Sequence, residues 1–145
     1  MPVETDEELR EILERVRTIA VLGMKAQAEE DAFRVPLYLQ QHGYRIVPVN
    51  PKLREVLHEQ ACATLAEVKV PVDLVDVFRA SDHLPGHVDE ILAMRPRPWV
   101  VWFQLGIRND ASAARLEAAG LRVVQDRCIM VDHRRLVPTR TSRGG

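Results

Sequence analysis

Five short apolar runs, each closed by a turn or a polar residue, set the rhythm of this chain. They are Ile19-Ala20-Val21-Leu22-Gly23, Tyr44-Arg45-Ile46-Val47-Pro48-Val49-Asn50, Val72-Asp73-Leu74-Val75-Asp76-Val77-Phe78, Trp99-Val100-Val101-Trp102-Phe103-Gln104 and Leu121-Arg122-Val123-Val124-Gln125. Runs of this length between turn signals read as strands buried on both faces. Amphipathic stretches of helix-forming residues separate them. Strand and helix in alternation predict an α/β fold, with a parallel sheet covered by helices on both faces. Such a sheet takes its ligand beyond the carboxyl ends of its strands.

The helices between the runs carry their own start and stop signals. Thr5 or Asp6 caps a first helix to about Arg17, with Leu9, Ile12, Leu13 and Val16 as its apolar stripe. The first strand, Thr18–Leu22, stops at Gly23, and a polar loop follows. Asp31 is expected to cap a second helix over residues 32–42, ended by Gly43. Pro36 is expected near its first turn, where proline is tolerated. The second strand, residues 44–49, contains Pro48, which is placed at its end because proline cannot donate to a ladder. Residues 53–57 predict a short turn and 64–68 a single helical turn. The third strand spans 72–78. A helix then runs from Ser81 or Asp82 to about Met94, with Pro85 early in it. The fourth strand starts at Trp99. Asn109 caps a helix over 110–119, Gly120 ends it, the fifth strand covers 121–124, and a last helix falls within 126–135. One domain therefore spans residues 1–137, and 138–145 is expected to be a disordered tail.

Right-handed crossovers leave two strand orders. A half-Rossmann sheet runs 3-2-1-4-5 and a flavodoxin-like one 2-1-3-4-5. Periodicity does not choose between them; the expected architecture is Rossmann-like, doubly wound, in the order 3-2-1-4-5. Either order gathers the same five loops at one edge: Gly23-Met24-Lys25, Asn50-Pro51-Lys52, Phe78-Arg79-Ala80, Gln104-Leu105-Gly106 and Gln125-Asp126-Arg127-Cys128.

Composition narrows the classes of function. The 145 residues carry a net charge of -1, so no overall field draws in nucleic acid or a membrane. No run of eighteen apolar residues predicts a transmembrane span. The acidic start, Met1-Pro2-Val3-Glu4-Thr5-Asp6-Glu7-Glu8, does not suit a signal peptide. Cys62 and Cys128 lack metal or redox spacing, which points to reduced thiols and a cytoplasmic location.

The loops then suggest a ligand. The first reads Gly23-Met24-Lys25-Ala26-Gln27-Ala28, so only one glycine of the dinucleotide fingerprint is present. Lys25 would face a phosphate bound near the following helix. Where dinucleotide-binding sheets place a carboxylate for the ribose hydroxyls, this chain has Asn50-Pro51-Lys52 and then Arg54. A lysine there attracts a phosphorylated ribose, as in coenzyme A or NADP; the alternative is a solvated turn charge. Arg79 and Arg34 could hold phosphate or carboxylate through a planar fork, although Arg34 also reads as an ordinary exposed helical position. Gln104 offers both hydrogen-bonding senses to an amide-containing arm, beside the apolar Phe103 and Leu105. Trp102 and Phe103 equally read as core.

Taken in order, Ile19-Ala20-Val21-Leu22-Gly23, Phe33-Arg34-Val35 with Leu39, and His42-Gly43-Tyr44-Arg45-Ile46-Val47-Pro48-Val49-Asn50-Pro51-Lys52 resemble the small bacterial CoA-binding proteins. These are similar to the N-terminal domain of the succinyl-CoA synthetase alpha subunit standing alone. The likeness continues through Val72 to Arg79, Val101 to Gly106 and Asp126-Arg127-Cys128. It implies a Rossmann-like fold with a CoA site built by the five loops. The implied cofactor-binding positions are Gly23, Met24, Lys25, Arg34, Asn50, Pro51, Lys52, Phe78, Arg79, Gln104, Leu105, Gly106, Arg127 and Cys128. Lys25 stands where the family usually has a serine. The synthetases carry their phosphorylated histidine in a second domain, so their catalysis is not carried over.

No acid, base and nucleophile set emerges otherwise. Cys128 and His133 suggest a nucleophile and base only by spacing. His83 and His87 have zinc-pair spacing, but Pro85-Gly86 is expected to spoil the helix such a pair needs. Asp73 and Asp76, three apart in a strand, point to opposite faces. Asp126 and Arg127 suggest an internal ion pair. The expectation is a non-catalytic carrier, sensor or regulatory module for CoA or an acyl-CoA, without a metal, nucleic acid or membrane, and compatible with a partner protein or a homodimer. The alternatives are an NADP-dependent oxidoreductase or a regulatory subunit of an acyl-CoA synthetase.

Overall fold

A computed structural model of the chain describes residues 2–138. The tail expected at 138–145 lies, beyond Pro138, outside the described residues. Helix α1 (Asp6–Arg15) opens with a capping box, in which the Thr5 hydroxyl accepts from the Glu8 N–H and the Glu8 carboxylate accepts from the Thr5 N–H. Then come β1 (Thr18–Leu22), α2 (Asp31–Gln41), β2 (Arg45–Val49), a small hairpin of β3 (Glu55–Val56) and β4 (Glu59–Gln60), and a 3-10 turn at Leu65–Glu67. The second half holds β5 (Leu74–Val77), a 3-10 turn at Ser81–His83, α3 (Leu84–Ala93), β6 (Val100–Phe103), α4 (Asp110–Ala118), β7 (Arg122–Val124) and α5 (Ile129–Leu136). No helix among the described residues is long and apolar enough to cross a membrane.

The main sheet is parallel throughout and runs β2-β1-β5-β6-β7. Numbered over its five strands, that is 2-1-3-4-5, which corrects the expected 3-2-1-4-5. The physical reason lies after β2. The chain makes a hairpin there instead of a crossover helix, and only Cys62 lies parallel against Val49 on the outer edge. Its N–H donates to the Pro48 carbonyl at 2.9 Å and its carbonyl accepts the Asn50 N–H at 2.9 Å. A third Rossmann strand is thus reduced to one residue. Pro48 fits because its missing N–H lies on that outer side, while the alternate residue Val49 turns its carbonyl toward β1 and accepts from Gly23.

Side-chain alternation divides the core into two layers. Ile19, Val21, Ile46, Leu74, Val100 and Trp102 pack with α1, α2 and α5. Ala20, Leu22, Val75, Val77, Val101 and Phe103 pack with α3 and α4. The switch in winding direction falls between β1 and β5. Two sequence expectations about proline are corrected here. Pro36 sits inside α2, in its second turn; the Ala32 carbonyl it leaves free accepts the Lys25 N–H at 3.2 Å instead. Pro85-Gly86 does not spoil α3, because Pro85 occupies the first turn, where a missing N–H costs nothing.

Candidate functional site

Backbone hydrogen bonds at the carboxyl edge tie each strand end to its neighbour. Gly23 and Met24 both donate to the Val49 carbonyl, at 3.0 and 3.3 Å, Phe78 donates to Leu22 at 2.9 Å, and Gln104 donates to Val77 at 3.2 Å. Gly23 is the tightest point. Its φ is +90, and a Cβ there would lie 3.0 Å from Arg79 Cδ and 3.1 Å from the Phe78 carbonyl oxygen. Glycine is required on both counts, and it brings the loops after β1 and β5 into contact at the switch point. Beside that contact lies a cavity of about 170 Å³, lined by Leu22, Gly23, Val49, Asn50, Pro51, Ala63, Thr64, Arg79, His87 and Glu90.

The cavity therefore gathers four of the expected residues: Gly23, Asn50, Pro51 and Arg79. Asn50 is buried and structural as well as cavity-lining. Its Nδ2 donates to the Met24 carbonyl at 2.7 Å, and its Oδ1 accepts the Lys52 N–H at 2.8 Å. One amide side chain thus locks the first loop to the second. Lys52 and Lys25 are exposed beside these loops, and Met24 is fully buried under them. Phe78 is half-buried against the core.

The remaining expected residues lie away from the cavity lining. Arg34 is exposed and paired with Asp31 on its own helix. Leu105 is 70% exposed. The Gly106 N–H donates to Asp126 Oδ1 at 2.6 Å. Arg127 makes a forked pair with Asp132, at 2.6 and 2.9 Å, which corrects the expected pairing with Asp126. Asp132 is the buried carboxylate on the facing turn of α5, whereas Asp126 is exposed and held by Gly106. Cys128 is half-buried at the N-cap position of α5. His133 is turned from it to Tyr38, whose hydroxyl lies 2.8 Å from His133 Nδ1.

Gln104 is not free for a ligand amide at its nitrogen. It is buried, and its Nε2 donates to Asp76 Oδ1 at 2.7 Å. Asp76 itself has no exposure, and its Oδ2 lacks a partner. Burial pushes its pKa up to about 8, and the Gln104 hydrogen bond pulls only part of the way back. Sequence reasoning tested Asp76 only as a partner for Asp73. That second carboxylate instead accepts the Arg17 and Thr18 N–H groups at 3.0 and 2.9 Å, at the other end of the sheet. The signal available was a carboxylate at a core-facing place in an apolar run. His87 and Glu90 were also missed as a pair; they meet only because α3 runs through Pro85 and Gly86.

A larger cavity, about 780 Å³, opens at the amino edge between the ends of α1, α2 and α5, with Arg17, His42, Tyr44 and His133 among its walls. Chain crossovers that build ligand loops converge at the opposite edge, so the smaller cavity is the candidate site.

A family model described as a CoA binding domain matches residues 17–134. The chain belongs to this CoA-binding family. It is 38% identical over 126 residues to the uncharacterized protein YneT of Bacillus subtilis (strain 168), covering 87% of this chain and 92% of that one. Among solved structures, cell-free ID.343 from Thermus thermophilus shares 46% identity and superposes with a TM-score of 0.87, over 92% of this chain and 99% of that one. A hypothetical protein from Pyrococcus horikoshii OT3 shares 35% identity with a TM-score of 0.87, over 94% and 96% of the two chains. As a CoA-binding domain, the chain takes a small-molecule ligand with three phosphates and a nucleotide end. Its carboxyl edge supplies Arg79 at the cavity, with Lys25 and Lys52 exposed on the adjoining loops.

Proposed function

We propose that this chain holds CoA or an acyl-CoA at the carboxyl edge of the sheet and acts as a non-catalytic carrier, sensor or regulatory module. The observation that carries the reading is the switch-point cavity between Gly23, Asn50 and Arg79, with Lys52 on its rim loop. At about 170 Å³ it exceeds several water volumes and falls below the roughly 300–1,000 Å³ usual for a drug-sized ligand. It therefore suits one end group, with the rest of the cofactor lying across the open loops. The nucleotide end fits this role: Leu22 and Val49 offer an apolar floor for a base, and Lys52 stands where a ribose phosphate would project. A cytoplasmic setting agrees with two free thiols.

Thermal stabilisation measured side by side with CoA, dephospho-CoA, NADP and NAD tests this. CoA is expected to stabilise most and dephospho-CoA less. Lys52→Glu is expected to abolish that difference, weakening CoA by roughly two- to fivefold, the scale of one exposed charge contact. A stronger response to NADP would favour an oxidoreductase instead.

A further inference from the structure

We propose that the cavity at the amino edge of the sheet is a second ligand site, shaped for a small flat organic molecule that carries one negative charge. It lies at the opposite edge from the switch-point cavity and stands independently of the CoA reading.

At about 780 Å³ the cavity falls within the range usual for small-molecule sites. Three helices end at it, and their C-cap residues, Val16 of α1, His42 of α2 and Val137 of α5, all line its walls. Helix carboxyl ends normally present free carbonyls, which repel an anion. Here a side chain closes one carbonyl of each helix. The Tyr44 hydroxyl donates to the Leu13 carbonyl, His42 Nδ1 donates to Tyr38 at 2.7 Å, and Arg10 Nε donates to Leu136 at 3.2 Å.

Two polar groups in the walls are left to a ligand. Arg17, just ahead of β1, is exposed and makes no ion pair among the described residues. Its charge acts on the Tyr44 hydroxyl, opposing the upward pKa shift that burial imposes there, so the guanidinium lies near the aromatic wall. His133 is only 5% exposed. Its Nδ1 meets the Tyr38 hydroxyl at 2.8 Å, and its Nε2 has no hydrogen-bond partner among the described residues. An open polar atom in so buried a side chain calls for a partner within the cavity. Arg17 is a cation at any working pH, so attraction of an anion needs no particular protonation state of the histidines.

The remaining walls select the body of the ligand. Leu13, Val16 and Tyr44 are buried beneath the opening. The Tyr44 and His133 rings meet edge to face, with centroids 5.6 Å apart and 77° between their planes. They form a corner in which a flat ring can lie on one face and abut the other. The Arg17 fork matches a carboxylate on the rim of that ring. Glu14 enters the same cavity from α1 and opposes a second negative charge. The ligand class is therefore an aromatic monocarboxylate.

The test is calorimetric and amide NMR titration of the intact chain with naphthoate, its neutral amide, a naphthalene dicarboxylate and acetate. Naphthoate is expected to bind about three- to tenfold more tightly than the amide, the scale of one exposed charge pair joined by one hydrogen bond. The dicarboxylate is expected to bind more weakly than naphthoate, and acetate not measurably. Amide shifts are expected at Arg17, Gly43 and Tyr44, and not at Gly23 or Asn50. Arg17→Gln is expected to remove the preference for naphthoate over its amide. Glu14→Gln, at another exposed position, is expected to strengthen naphthoate by roughly two- to fivefold. A merely greasy surface would show neither of these opposite responses. Saturating CoA is expected to leave naphthoate binding unchanged. Absence of binding to the wild type, equal binding of naphthoate and its amide, displacement by CoA, or shifts confined to the carboxyl edge overturns the second site. Failure of CoA to bind in the same titrations would overturn only the CoA reading.

Discussion

Asp76 sits in register with Val21 on one side and Trp102 on the other, in the layer beneath α2 and α5. A carboxylate there is fully buried, and Gln104 supplies one hydrogen bond. Its folded pKa of about 8 stands above the ordinary 3.8. Between those values the folded chain holds a proton that the unfolded chain has released, so stability falls as pH rises through the window. The slope is up to about 1.4 kcal/mol per pH unit. Asp76→Asn removes this term. Urea unfolding from pH 4 to pH 10 is expected to show the variant gaining on the wild type as pH rises, with the gap levelling above the folded pKa. Gly23 makes a second prediction at this scale. Gly23→Ala meets both a φ of +90 and the Phe78 backbone at 3.1 Å. It is expected to cost about 1–3 kcal/mol in urea unfolding and to weaken CoA binding by displacing Arg79.

At the scale of elements, α2 positions the first loop through a defect. Proline at 36 leaves the Ala32 carbonyl without its helical donor, and Lys25 takes the place. Pro36→Ala restores a competing N–H. Amide exchange is expected to become faster at Lys25, with the rest of β1 unchanged. The hairpin β3–β4 shows why some local structure was not legible. Its turn places Leu57 and His58 at φ of 56 and 63, where Asn-Gly or Asp-Gly is the usual signal. Two caps were legible because they are local: Thr5 with Glu8, and Asn109 accepting from the Ser112 N–H. The expected cap at Asp31 is corrected: α2 begins one residue earlier, after Glu30, and Asp31 lies in its first turn, paired with Arg34. So was β1, since alternation and the closing Gly23 lie within one short window. The candidate site was legible in part. Gly23, Asn50 and Arg79 stand at strand ends, which the apolar runs mark. Arg127 was assigned to the ligand edge, but its forked contact with Asp132 depends on a helix turn that spacing alone did not fix.

The whole molecule depends on α1, which lies ahead of the matched family region. Leu9, Ile12 and Leu13 are buried in the layer that includes α5. Arg135 reaches from α5 to Asp6 at 2.9 Å, and Arg10 donates to the Leu136 carbonyl at 3.2 Å. Val3 also donates to Val123 at 3.2 Å, covering part of the free edge of β7. Each buried aliphatic side chain contributes about 1.5–3 kcal/mol, so three amount to roughly the whole stability of a small domain. Deleting residues 1–16 is expected to leave the chain largely unfolded by circular dichroism, although the strands and their loops remain in the sequence.

The amino-acid order by itself determined an alternating α/β chain, its strand positions and the basic second loop, because short-range periodicity and turn chemistry act over a few residues. Only the tertiary structure decided the strand order, the Gln104–Asp76 pair and the meeting of His87 and Glu90 with Asn50 and Arg79 around one cavity. Those follow from which edges pair and which helix faces the sheet covers, and such long-range packing leaves no periodic trace along the chain.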